Sequence, residues 1–149
     1  MSSDTRTATR ETTTTATTSS SGYAVFGALT GVATLAVLLQ GLWAGIFLEH
    51  DGKRDDASGW IDVHARGSEV ALLFAVLALV WAVWKLRERR DLWIGALVLA
   101  VLLVAESFIG GQIRDAGKDT LTAVHVPLGM AIMGVAVWLP LRARAGRRA

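Results

Sequence analysis

From residue 23 onward, long apolar runs alternate with short charged breaks, over residues 23–48, 60–84, 92–113 and 120–141. A helix needs about 20 mostly apolar residues to cross a bilayer, and each run meets that length. Breaks this short leave consecutive helices antiparallel neighbours. The pattern therefore predicts an all-α integral membrane protein, an antiparallel four-helix bundle spanning residues 22–142. Residues 1–21 hold nine threonines, five serines and no large apolar side chain beyond Met1. Such a segment has nothing to offset the entropy of ordering its backbone, so a disordered tail is expected there. The apolar run that follows is too long for a signal-peptide core, and the first helix is expected to be an uncleaved anchor. Residues 143–149 form a short basic tail.

Charge decides the orientation. Arg6 and Arg10 precede the first run, Lys85, Arg87, Arg89 and Arg90 crowd the second break, and Arg142, Arg144, Arg147 and Arg148 follow the fourth. The first and third breaks carry Glu49, Asp51, Asp55, Asp56, Asp115 and Asp119 instead. Basic loops stay on the cytoplasmic side, so both termini and the second break are expected to be cytoplasmic. Trp81, Trp84, Trp93 and Trp138 then mark the inner interface, and Trp43 and Trp60 the outer one. This topology accounts for the basic residues, and no nucleic-acid partner is expected. The expected setting is the plasma membrane of a bacterial-type cell, with the lipid bilayer as the main partner. The chain has no cysteine, so disulfides, thiolate metal sites and covalent haem attachment are excluded.

Two histidines stand at matched positions. His64 opens the second run and His125 the fourth, and those two helices run in the same direction. Both imidazoles are therefore expected at similar depth on the outer side, which is the geometry of a bis-histidine b-type haem site between parallel helices. Gly67 and Gly129, one turn deeper on the same faces, leave room for a flat macrocycle. Glycine also permits close helix packing in lipid, and an interfacial histidine also serves as a polar cap. His50 lies in the first break, where it is expected to be a solvated loop residue. With His64 and Asp62 it offers an alternative zinc or copper site.

Glu106 is the one acid deep within a run. Such a group faces the bundle interior, where it either pairs with a polar neighbour or serves a proton or propionate-side role. Gln40, Arg66 and Glu69 are its candidate neighbours, and its stripe with Leu103 and Gly110 is expected to meet the first or second helix. Gly41, Gly45, Gly110 and Gly111 read as packing glycines. Asp119 is expected to cap the fourth span, and Pro127 to bend it and release a carbonyl near Ala123.

The order of these features resembles one half of haem A synthase, the cytochrome oxidase assembly family. Trp60-Ile-Asp-Val-His64 looks like that family's entry into its second helix. Glu106-Ser-Phe-Ile-Gly110 is similar to its third-helix pattern, where glutamine is frequent, and Val124-His125-Val-Pro-Leu-Gly129 to its fourth-helix histidine segment. The likeness covers about residues 30–140. It departs where the family has a cysteine pair in the first loop, and where Ile61 stands in place of a usual glutamate, with Asp62 one step nearer. Small four-helix membrane proteins of unknown function share the same outline.

The resemblance implies a bundle that binds haem b through His64 and His125. It also implies a homodimer, in which two copies stand for the family's two halves. The expected work is electron transfer or haem handling, with an unidentified redox partner. If the chain is an enzyme, it is a haem-dependent membrane oxidoreductase whose catalytic residues are unassigned. Two alternatives are a cofactor-free membrane subunit or assembly factor, and a small transporter or metal-handling protein using His50, His64, Asp62 and Glu106. The topology is directly testable. In intact cells an impermeant thiol reagent should label a Ser58→Cys variant and spare Glu88→Cys, and the reverse pattern would invert the orientation.

Overall fold

The computed structural model describes residues 4–49 and 54–148, with side chains for 21–49 and 55–147. Four α-helices follow one another: α1 (Asp4–Leu48), α2 (Arg54–Lys85), α3 (Arg90–Ala116) and α4 (Thr122–Arg148), the last entered through a 3-10 turn at Asp119–Leu121. No strand occurs among the described residues. Within these helices, Ser21–Leu48, Asp55–Lys85, Arg90–Ala116 and Asp119–Arg147 are each long and apolar enough to cross a membrane.

Every span is longer than its apolar run, because the helix continues through polar turns at its ends. The first loop was expected to last until Gly59, yet α2 already begins at Arg54. Asp55 and Asp56 fall in its first turn, where the helix dipole favours negative charge. The helix α1 likewise reaches back to Asp4, through the tail expected to be disordered. Extending an existing helix avoids the cost of nucleating one. At the other end, α3 stops at Gly117, whose φ of 63° is the left-handed conformation that glycine adopts without steric penalty. Lys118 N–H closes that end on the Gln112 carbonyl at 3.2 Å. Asp119, expected to cap the fourth span, opens the 3-10 turn instead, and its carbonyl accepts the Thr122 N–H. The α4 helix continues through both Pro127 and Pro140.

Around the bundle, α1 packs against α2 and α4, and α3 packs against the same two. The helices α2 and α4 are therefore diagonal partners, as are α1 and α3. The seams between neighbours are built from small residues. On α2 they are Ala71, Ala75, Ala78 and Ala82, all fully buried. The other helices likewise bury Ala33 and Ala36 on α1, Ala96 and Ala100 on α3, and Ala136 and Ala143 on α4. In lipid the surroundings are as apolar as leucine, so association depends on close packing, and small side chains let the backbones approach. Phe26, Leu92, Leu99, Ile132 and Leu139 are buried among them, while many other large apolar residues point the other way: Leu73 is 55% exposed and Met130 73%. Such an inside-out distribution suits a hydrocarbon environment. Gly95 supplies a further notch, since a Cβ there would stand 2.8 Å from the Trp138 ring of α4. Thr34 Oγ1 ties α1 to α4 by donating to the Ala136 carbonyl at 2.6 Å.

One end of the bundle is fastened by charge. Arg89 Nε and Nη2 donate to the Asp91 carboxylate at 3.0 and 2.9 Å, and its Nη1 donates to the Tyr23 hydroxyl at 3.0 Å. Arg142 reaches the same carboxylate at 2.7 Å. Hydrogen bonding to Asp91 raises the Arg89 guanidinium above its already high value, so it stays charged throughout. Trp81 Nε1 adds a bond to the Gly22 carbonyl at 3.0 Å. The alanine seam makes a clear forecast. Ala75→Leu should destabilise the detergent-solubilised protein by about 1–3 kcal/mol through overpacking. Leu73→Ala, on the outer face, should stay within about 0.5 kcal/mol in the same thermal unfolding assay.

Candidate functional site

The buried stripe of each helix runs along the bundle and ends in a polar residue at the same end. On α1 the stripe Phe26, Thr30, Ala33, Ala36 and Val37 leads to Gln40. On α2 the alanine stripe leads back through buried Gly67 to His64. On α3, Leu92, Ala96, Leu99 and Leu103 lead to Glu106, and on α4 Leu139, Ala136 and Ile132 lead back to His125. Residues spaced by three, four and seven share a helix face. The helical register therefore turns all four polar groups inward.

They meet there. The rings of His64 and His125 lie with centroids 6.2 Å apart at an interplanar angle of 66°. Their helices are diagonal, so the two side chains span the bundle axis. His64 Nδ1 stands 3.2 Å from the Gln40 carbonyl oxygen. His125 Nδ1 stands 3.2 Å from Glu106 Oε1, with only about a fifth of either side chain exposed. That contact has the distance of a hydrogen bond but not its angle, and His125 Nδ1, Glu106 Oε2 and Gln40 Oε1 are buried without a hydrogen-bond partner. A buried unpaired polar group costs about 1–3 kcal/mol. Turning a side chain by about 30° costs on the order of 0.5–1.5 kcal/mol. Pairing of Glu106 with His125 is thus the favourable outcome.

The surroundings differ from expectation in several places. The notches at Gly67 and Gly129, expected to hold space for a macrocycle, are filled by neighbours. A Cβ at Gly67 would collide with Trp43 and Gln40, and one at Gly129 would stand 3.1 Å from Glu106 Oε1. The Glu106 carboxylate, expected to meet the first or second helix, lies against His125 and Gly129 of α4, a helix that α3 packs against as well as α2. Arg66 and Glu69, two of its candidate neighbours, point outward and pair with each other at 3.5 Å, with side chains 81% and 69% exposed. Asp62 is also exposed, 4.0 Å from Arg114 on α3. Among the described residues, no group of three or more histidine, cysteine or acidic side chains is arranged to hold a metal ion. His50 lies outside the described residues.

Three residues that the sequence did not place at the site belong to it. Trp43, read as an interface marker, packs over Gly67. Phe47 meets the His64 ring edge-on, with centroids 5.6 Å apart. Gly110, read as a packing glycine, lies against His125, whose Cε1 would be 3.3 Å from a Cβ placed there. The spacing of Gln40, Trp43 and Phe47 at three and four residues was the available signal. Gly41 and Gly45, by contrast, have nothing within 4 Å of an added Cβ. They face out of the bundle and pack against none of its helices.

Comparison of the chain with protein-family models, with curated proteins and with solved structures finds no match. The chemistry of the site therefore rests on its geometry. Two imidazoles can offer nitrogen donors to a borderline metal, and one carboxylate offers a hydrogen-bond acceptor beside His125. Gly67→Val should expel Trp43 from its notch and cost about 1–3 kcal/mol of stability. In the same thermal unfolding measurement Gly41→Val should change little, and equal losses in both variants would contradict the packing described.

Proposed function

We propose that the chain is a multi-pass protein of a bacterial-type plasma membrane, with both termini cytoplasmic. In this reading it binds b-type haem between His64 and His125, for electron transfer or haem handling at the outer face. The observation that carries the reading is the meeting of the two imidazoles, with centroids 6.2 Å apart at the bundle axis. Two iron–nitrogen bonds of about 2.0 Å, with each ring centre about 1 Å further back, put the centroids of a bis-histidine pair about 6 Å apart. The donor set also fits, since the chain offers histidine and no thiolate. His64 and His125 would be the axial ligands, and Glu106 and the Gln40 carbonyl would hold them from behind. When bound, the haem would supply one-electron chemistry, and the protein sets its potential through ligand basicity and burial.

Charge distribution supports the orientation. The end bearing Arg89, Arg142 and Tyr23 is the basic one, and basic ends remain cytoplasmic. The histidines lie at the other end. A homodimer, as the resemblance implies, is part of the same proposal.

A second reading rests on the filled notches at Gly67 and Gly129. There the bundle is a cofactor-free subunit or assembly factor, and the four polar residues plug its outer end. Visible spectroscopy of the detergent-purified protein separates the two. Under the haem reading, reduction sharpens the absorption bands of a six-coordinate haem. His64→Ala or His125→Ala removes or drastically alters those bands, and His50→Ala leaves them intact. A purified, haem-supplemented protein with no such bands would leave the cofactor-free reading standing.

A further inference from the structure

The two histidines face unlike partners, and the chemistry of each partner points to the nitrogen that each leaves free. A main-chain carbonyl only accepts hydrogen bonds. The contact of His64 Nδ1 with the Gln40 carbonyl at 3.2 Å therefore requires the proton on Nδ1. The carbonyl's second lone pair leaves its helical bond intact. Around His125 the neighbours are His64 from α2, Glu106 and Gly110 from α3, and Gly129 on its own helix. Of these, only the Glu106 carboxylate lies within hydrogen-bond distance of His125 Nδ1, and both atoms are buried. Glu106 Oε1 lies in the space that Gly129 leaves, where a Cβ would stand 3.1 Å from it.

We propose that Glu106 is the positioning residue for His125, holding it as the Nδ1–H tautomer just as the Gln40 carbonyl holds His64, so that Nε2 is the lone-pair nitrogen of both. The two Nε2 atoms are then the donor pair of the site. Their role as iron ligands rests on the haem reading above, whereas the tautomers do not. The pair is also electronically unequal. A carboxylate behind an imidazole raises its basicity more than a carbonyl does, so His125 is the stronger donor of the two.

The test uses the full chain in detergent, carrying 15N-labelled histidine, under conditions where the imidazoles are neutral. Signals are assigned through His64→Ala and His125→Ala. Both residues should show a pyrrole-type Nδ1 and a pyridine-type Nε2. Glu106→Gln keeps an oxygen acceptor and should preserve that pattern. Glu106→Leu should shift His125 toward the Nε2–H form while leaving the His64 signals in place, which also reports that the bundle is folded. A native His125 protonated on Nε2, or one indifferent to the leucine change, would overturn the assignment. A haem-loaded sample gives the second arm. There Glu106→Gln should raise the midpoint potential, and an unmoved potential would remove Glu106 from the tuning of the iron. If the protein takes up no haem at all, the haem reading falls, and the nitrogen spectra alone decide the tautomers.

Discussion

Close approach between helix backbones is the constraint on which the rest of this structure depends. A bundle surrounded by hydrocarbon gains nothing from merely sorting apolar from polar, because its outer surface is already satisfied there. What remains is contact, and contact requires small side chains along each seam. The fully buried run Ala71, Ala75, Ala78 and Ala82 fixes the rotation of α2 about its own axis. A different rotation would drive branched side chains such as Val76 or Val80 into the seam. Once that angle is set, the position of His64, seven residues before Ala71, is no longer free. The same holds for His125, seven residues before Ile132.

The polar cluster is therefore a product of the packing and not an addition to it. Four helices each end their buried stripe in a group that hydrocarbon would penalise; His64, Glu106 and His125 gather there, and α1 adds the Gln40 main-chain carbonyl. Trp43 and Phe47 close the cluster on one side, and their rings shield it from lipid. Shielding matters in both functional readings. It raises the strength of every electrostatic contact within the cluster, and it raises the cost of any polar atom left without a partner.

Much of this was legible in the chain. The four spans follow from run length, the antiparallel order from the short breaks, and the inward-facing histidines from their spacing to small residues. Glu106 was legible as an interior group because a carboxylate at membrane depth has few other places to go. Its partner was not legible. Placing Glu106 beside His125 requires knowing that α3 lies between α2 and α4, and the order of helices around a bundle is not written in any one of them. Arg66 and Glu69 failed as neighbours for a related reason: they share the depth of the site but stand on the wrong side of their helix. The direction of Trp43 was not legible from the aromatic-belt rule, which describes depth, whereas its stripe position with Gln40 and Phe47 decides direction. The start of α2 was missed because Asp55 and Asp56 read as loop by polarity, although a first helical turn welcomes negative charge.

The ion cluster around Asp91 has a mechanical consequence. It joins α3, the turn before it, α4 and, through Tyr23, α1. It sits about 20 Å from Glu106, at 1.5 Å of rise per residue along α3. At the histidine end the described residues join the helices by lighter contacts, among them Arg114 to Asp62 at 4.0 Å and the facing imidazoles. The molecule is thus built like tweezers riveted at the Asp91 end. A small splay at the rivet becomes a larger one at the tips, so any breathing of the helices is concentrated where the imidazoles meet.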